Sequence, residues 1–310
     1  ISPYVQIGPP AELSQTTWCA EKTIDFIKEE NEKSWFFSFN CFDPHHPFDP
    51  PREYLERFKF DDMPLPSVHP EESDAKTTFQ KLDRIWAHNT PGEFQVEAMT
   101  EGDKRMVYAA YMAMVSLIDN QVGRILDALK ESGQADDTLV VFMSDHGEML
   151  GDHGIYFKGP HFYDCQMRVP LVMRWPNGGV VRNRRVEGFV ELVDLMPTFL
   201  EAAGLPIPSA VQGRSLLTLL VGGEEGDSCR DQVYAEYYNA WTHREAYGTM
   251  LRTKEWKVVV YHGTNQGELY NLNEDPEEFF NLWDNPVHAV RKQELVLKCF
   301  DASVLSMDPD

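Results

Sequence analysis

The sequence predicts an α/β fold, with a central, mostly parallel sheet flanked by helices and then a small C-terminal antiparallel sheet plus one helix. Three observations predict it. Leu139, Val140, Val141 and Phe142 form an uninterrupted apolar run, as expected for a parallel strand covered on both faces. Ahead of it, Tyr108, Tyr111, Val115, Ile118, Val122, Ile125 and Leu129 fall three or four apart, the spacing of a long amphipathic helix ending near Gly133. From about Val233 the pattern changes to short alternating segments, Val233 to Tyr238, Thr249 to Thr253 and Trp256 to Tyr261, which read as antiparallel strands.

The remaining elements follow in order. Leu13, Thr17, Ala20, Ile24 and Ile27 recur at helical spacing before an expected strand, Trp35 to Phe39. Pro44, Pro47, Pro50 and Pro51 forbid regular structure, so Asp43 to Pro51 is a loop at the end of that strand. From about Arg52 to Gly102 the chain is rich in charge and proline with weak periodicity, and reads as an insertion. A strand over Arg168 to Trp175 (RVPLVMRW) follows the one ending at Met143, then a helix starting near Asp194 and loops at Gly213, Gly222 and Gly223. A final helix opens with Asn285 as its cap and Pro286 at its first position. These elements divide the chain into residues 1–232, with the insertion at about 52–102, and a C-terminal α+β subdomain, 233–310.

Composition narrows the function. With 42% hydrophobic and 25% charged residues, the 310-residue chain resembles an ordinary globular protein able to bury a large core. Its 28 basic and 50 acidic residues give a net charge of −22, which disfavours nucleic acid and anionic membrane as partners. No apolar run approaches the length of a membrane span. Five unclustered cysteines, Cys19, Cys41, Cys165, Cys229 and Cys299, fit neither a disulfide framework nor a zinc site and leave the compartment open.

The segment Ser144-Asp145-His146-Gly147-Glu148 carries the chemistry, because it stands at the carboxyl end of the strand containing Val140, where open α/β sheets bind ligands. A carboxylate oxygen and an imidazole nitrogen together suit a divalent cation, and Gly147 allows the sharp turn that lets them converge. The plainer alternative is that Asp145 caps a following helix and His146 makes an ordinary hydrogen bond.

Ser144 to Pro176, SDHGEMLGDHGIYFKGPHFYDCQMRVPLVMRWP, is similar to the second signature of the sulfatases of the alkaline phosphatase superfamily. Trp35 to Pro51, WFFSFNCFDPHHPFDPP, resembles that family's strand ending in Pro-His-x-Pro. Val193 to Leu205, Gln212 to Leu216 and Glu268 to Leu282 resemble later family segments in the same order, so the likeness covers nearly the whole chain.

The resemblance implies an alkaline phosphatase-like fold and metal-assisted hydrolysis of a sulfate monoester, with a sulfated carbohydrate or aryl sulfate as substrate. It makes Asp145 and His146 metal ligands, and His45 and Lys158 catalytic residues contacting the sulfate and its bridging oxygen. His161 becomes a candidate substrate contact or a hydrogen-bonded loop histidine, Tyr163-Asp164 supports the lysine loop, and Asp152 and His153 stabilise a turn. Calcium is the expected metal, with manganese or zinc admitted by the imidazole ligand. Family members oxidise the Cys or Ser of a Cys- or Ser-x-Pro-x-Arg motif to formylglycine, the nucleophile. No cysteine or serine here begins such a motif, so the chain is expected to be the C-terminal part of a longer enzyme and inactive alone. Many sulfatases have Asp-Asn in place of Asp145-His146, and the histidine form also occurs in phosphodiesterases and phosphonate monoester hydrolases of the superfamily. A phosphodiester or phosphonate hydrolase is therefore the competing activity, and a non-catalytic sulfate- or glycan-binding remnant the reading from another class.

Overall fold

Residues 2–29, 33–73, 75–222, 230–239 and 245–306 are described by the computed structural model. Gly223 and Cys229 lie outside them. By internal contacts the chain forms two units, each built from separate stretches: Ile1–Ser67 with Phe94–Thr138, and Val68–Glu93 with Leu139–Asp310.

The first unit is helical. Helix α1 (Gln15–Lys28) starts where the Ser14 hydroxyl accepts from Thr17 N at 3.1 Å. A single turn, α2 (Arg52–Leu55), follows the proline loop. The apolar run at Trp35 to Phe39 is extended but joins no ladder among the described residues, contrary to the strand expected there. Trp35 Nε1 instead donates to Gln134 Oε1 at 3.0 Å, and its ring meets Phe26 edge-on.

The unit's long helix runs Glu101–Glu131; it opens with a capping box between Thr100 and Asp103, and Gly133 just beyond it takes φ 74°. Its most buried face is Val107, Ala110, Ala113, Met114, Leu117 and Gln121, not the tyrosine and isoleucine stripe read from sequence. The reason is steric. Alanines let α1 and Tyr54 approach closely, which leaves the larger side chains half-buried at the margins.

The second unit takes in part of the expected insertion, including the helix Thr78–Ile85, which opens with Thr77 N donating to Gln80 Oε1 at 2.8 Å. In chain order these two are α3 (Thr78–Ile85) and α4 (Glu101–Glu131). Strand β1 (Val140–Met143) pairs with β2 (Leu171–Arg174), Val140 facing Arg174 and Met143 facing Leu171. This pairing is antiparallel, and Phe142 and Met143 are 42% and 38% exposed, so β1 is not the two-sided buried parallel strand expected. The connecting segment, including the single turn α5 (Asp164–Met167), folds back from the carboxyl end of β1 and returns the chain at that end.

Helix α6 (Leu195–Ala202) begins beside Asp194, whose buried carboxylate is ion-paired to Arg230, and a last turn, α7 (Leu217–Leu220), follows. The antiparallel sheet expected from Val233 onward is present, in the order β3 (Gln232–Tyr238), β4 (Tyr247–Thr253), β5 (Trp256–Tyr261), β6 (Gln266–Asn271). Alternation along β4 and β5 sends Leu251 and Val258 toward α8 (Ala289–Leu305), where Leu295 and Cys299 meet them. Met250, Val259 and Tyr261 point the other way and pack on Phe162. Asn285 caps the approach to α8, accepting from Val287 N at 3.0 Å.

Candidate active site

The end of β1 is shaped by short local bonds. His146 N donates to Asp145 Oδ1 at 3.0 Å, and Ser144 Oγ donates to His146 O at 2.9 Å. His146 Nδ1 lies 2.7 Å from Gly147 O, an acceptor only, so Nδ1 is the donor there, and in the neutral imidazole Nε2 is the nitrogen with the free lone pair. That Nε2 is 3.7 Å from Asp145 Oδ2, and both side chains reach solvent, at 39% and 82% exposure. Neither lone pair is used up by the protein interior. Among the described residues no group of three or more His, Cys, Asp or Glu side chains is placed to hold a metal, so Asp145 and His146 stand as a pair.

After this pair the backbone turns into a tight loop. A Cβ on Gly147 would sit 2.0 Å from Cys165 O, so only glycine allows this approach. Gly151 N donates to Ile155 O at 2.8 Å and Met149 N to Phe157 O at 3.2 Å, bringing Lys158 back beside residue 148. Leu150, His153 and Phe157 hold positive φ of 46°, 56° and 68°, unfavourable for L-residues and maintained here by the burial of Met149, Ile155, Tyr156 and Phe157. Glu148 accepts from the backbone N–H groups of Leu150, at 3.2 Å, and of Phe157. Burial raises its pKa, an effect the backbone donors and the nearby Lys158 and His146 only partly offset. Lys158 is shifted down by burial, against the pull of Glu148 and then Asp145. Asp145, His146, Glu148 and Lys158 thus form one electrostatic group.

His153 and His161 face inward. His153 Nδ1 lies 2.8 Å from Glu72 Oε2, and its ring stacks on Tyr163 at 3.7 Å, in keeping with a turn-stabilising residue. Burial would raise the Glu72 pKa, but the hydrogen bond from His153 and the Lys76 ammonium, 3.1 Å away, hold it below the ordinary value. His161 Nε2 lies 2.7 Å from Asp83 Oδ2 with both side chains at 0% exposure, so in this chain the imidazole offers no surface to a substrate. Asp164 anchors the far side of the loop: its carboxylate accepts from Lys257 Nζ at 2.6 Å and from Arg252 at 3.2 Å, and its N–H donates to Glu278 Oε2 at 2.7 Å. Burial acts upward on Asp164, and Lys257 with Arg252 pull its pKa below the usual range.

His45 belongs to the first unit. Its N–H donates to Phe42 O at 3.1 Å, and its ring stacks on His46 at 4.1 Å. Nearby, Asp43 accepts from Thr16 Oγ1, and burial raises its pKa against that bond. Sequence reasoning singled out Asp145, His146, Lys158, His161 and His45 but passed over Glu148, Glu72 and Asp83. Glu148 was visible as an acid two residues beyond the pair, whereas nothing in the insertion marks Glu72 or Asp83.

The family model described as Sulfatase matches residues 10–205, and that described as N-sulphoglucosamine sulphohydrolase, C-terminal, matches residues 151–302. The chain belongs to the sulfatase family, and its fold is alkaline phosphatase-like. It is 31% identical over 307 residues to the multifunctional alkaline phosphatase superfamily protein PehA of Trinickia caryophylli, spanning 93% of this chain and 59% of that protein. To an arylsulfatase of Clostridium perfringens it is 30% identical over 290 residues, spanning 92% and 56%. Its backbone matches the phosphonate monoester hydrolase SpPMH of Silicibacter pomeroyi with a TM-score of 0.87 at 27% identity, over 97% of this chain and 62% of that one. The chain therefore spans just over half the length of the curated relatives it matches.

Proposed function

We propose that the protein hydrolyses sulfate monoesters, of a sulfated carbohydrate or an aryl alcohol, and that Asp145 and His146 hold a divalent cation for this purpose. The observation carrying this reading is the grouping at the end of β1: a carboxylate and an unprotonated imidazole nitrogen 3.7 Å apart, with a lysine ammonium in the same electrostatic group. Metal–ligand bonds are about 2.0–2.6 Å long, so the two donors can share one ion without rearrangement. Calcium fits the carboxylate, and manganese or zinc the imidazole as well. When bound, the cation would withdraw charge from the sulfuryl oxygens.

The protein's own part is to position and to donate. Lys158, whose pKa burial lowers against the pull of Glu148 and Asp145, is placed to offer a compact charge to the bridging oxygen as the S–O bond weakens. For His45, in the first unit, the family resemblance implies contact with the sulfate ester. The net charge of −22 makes such local cations necessary, because the surface as a whole repels a sulfate ester. By the family resemblance the nucleophile would be a formylglycine, and no cysteine or serine of this chain begins the motif that yields one. The family model named for N-sulphoglucosamine sulphohydrolase favours the sulfated carbohydrate.

The test is turnover by the full-length protein of 4-nitrophenyl sulfate, a phosphodiester and a phosphonate monoester, before and after chelation and calcium replacement. Sulfate turnover that disappears with chelator and returns with calcium is expected. Turnover confined to the phosphorus esters would support the second reading, phosphodiester or phosphonate hydrolysis, which His146 at the second ligand position and the likeness to SpPMH favour. No turnover of any ester would leave the binding remnant.

A further inference from the structure

Two functional segments meet at one residue, through its backbone carbonyl and its side chain, that neither the family resemblance nor the proposed reaction uses. Gly147, immediately after the metal pair, donates its N–H to Gln166 O at 2.7 Å. Gly159, immediately after Lys158, accepts from Gln166 Nε2 at 2.9 Å. Both glycines are closely packed: a Cβ at 147 would overlap Cys165 O, and one at 159 would lie 3.0 Å from His161 Nε2 and 3.3 Å from Asp83 Oδ2, a tight contact that would push those side chains back. Gln166 is itself 8% exposed and sits on α5, whose first residue, Asp164, is fastened by Lys257, Arg252 and Glu278.

We infer that Gln166 is a positioning residue that fixes the placement of Lys158 relative to the Asp145–His146 pair, bracing both against the C-terminal sheet. The inference rests on the proposed roles of those three residues. Stability alone does not account for an amide here. Among the described residues Gln166 Oε1 is buried and accepts no hydrogen bond, and the cost of an unsatisfied buried acceptor offsets the gain from the single bond that Nε2 makes. An apolar side chain of the same length would fold about as well. What it could not do is hold the carbonyl that follows Lys158. The two halves of the brace are also separable, because Gly147 is held by the Gln166 backbone carbonyl, which survives any substitution.

The test compares Gln166→Met and Gln166→Glu with wild type in the full-length protein. Displacing a catalytic group by about 1 Å can cost about 100-fold, so kcat for a poor leaving group should fall about 10- to 100-fold in Gln166→Met with little change in KM. Thermal stability and calcium affinity should stay at wild-type values. Gln166→Glu should behave likewise near neutrality and recover as pH falls, because only the protonated carboxyl can donate to Gly159 O. A readout independent of turnover is the acetylation rate of Lys158 by acetic anhydride, mapped by mass spectrometry, which should change severalfold in Gln166→Met while other lysines are unaffected. Unchanged Lys158 labelling with unchanged kcat, or a kcat loss matched by a fall in melting temperature, overturns the inference. If the wild type turns over no ester, the functional reading fails, and the labelling still decides whether Gln166 places Lys158.

Discussion

The loop carrying Lys158 and the loop carrying His45 are both irregular, yet they are held by different forces. The lysine loop is fixed by buried charges: Glu72 with His153 and Lys76, Asp83 with His161, and Asp164 with Lys257 and Arg252. The His45 loop is held by backbone bonds and aromatic packing: His45 stacks on His46, Gln6 N donates to Phe48 O and Gly8 N to Pro50 O, the buried Phe48 ring packs on Phe94 and Tyr111, and the Thr16 hydroxyl donates to Asp43. The carboxylates record the difference. Cationic partners pull Glu72 and Asp164 down, whereas Asp43, which accepts from the Thr16 hydroxyl, is pushed up by burial. A loop locked by buried ion pairs has a defined geometry but fails abruptly when one partner is lost.

The largest effect expected is on chemistry, where both loops should matter alike. In the full-length protein, Lys158→Ala and His45→Ala should each lower kcat for an alkyl sulfate by about 10²–10⁴-fold, and much less for an activated aryl sulfate, because proton donation helps in proportion to charge developing on the departing oxygen. Kinetics over a series of leaving groups decide it. Equal losses on every ester, or a loss confined to KM, would assign these residues to uniform binding of sulfate.

Stability should separate the loops. Lys257→Ala leaves Glu278 buried beside a vacated cation site and Asp164 with Arg252 but without Lys257, and removing one partner of a buried pair costs about 3–5 kcal/mol. Urea unfolding measures it. A loss under about 1 kcal/mol would mean that the lysine loop does not depend on its ion pairs.

What the sequence made legible follows the same line between local and long-range order. The helix α4, the C-terminal strands from Val233 to Tyr261 and the Asn285 cap are written in spacing and capping chemistry, so they could be read directly. Strand β6 could not: four consecutive residues, Gly267 to Tyr270, are buried, and Glu268 among them is accommodated only because Tyr261 and Tyr270 hydroxyls donate to it at 2.7 and 2.8 Å. The face of α4 that packs was hidden because alanines contribute little to an apolar stripe while permitting the closest approach. In the candidate site, Asp145, His146 and Lys158 were visible from motif spacing, whereas Asp83, Glu72 and Gln166 come to the loop from elsewhere in the chain or through backbone bonds. Their roles exist only after folding.

The next effect in size is pH-dependent. Asp164→Asn removes the charge in two charge-assisted contacts, each worth about 1.5–3 kcal/mol, so it should destabilise the protein at pH 7. Because the folded pKa of Asp164 lies below its unfolded value, its contribution is complete above the ordinary carboxylate range and is lost as pH falls through the folded pKa. The gap between wild type and variant should therefore close on acidification below about pH 4. Denaturant melts of both proteins at pH 7, 5 and 3 would show it, and a gap that stays constant would mean that packing, not charge, carries the effect.

The smallest effect is expected at Asp43, and its sign is opposite. Burial raises the folded pKa of Asp43 above the unfolded value, so its ionised form burdens the folded state at neutral pH, and that burden lifts as pH falls through the folded pKa toward the ordinary range. Asparagine keeps an oxygen able to accept from Thr16 Oγ1 while removing the buried charge. Asp43→Asn should accordingly be neutral or slightly stabilising at pH 7, within about 0.5 kcal/mol, with the difference fading in acid. Paired melts of Asp43→Asn and Asp164→Asn make the contrast quantitative. If both variants lose similar stability at pH 7, the two loops are held alike, and the distinction between a loop locked by buried cations and one held by backbone bonds and aromatic packing does not survive.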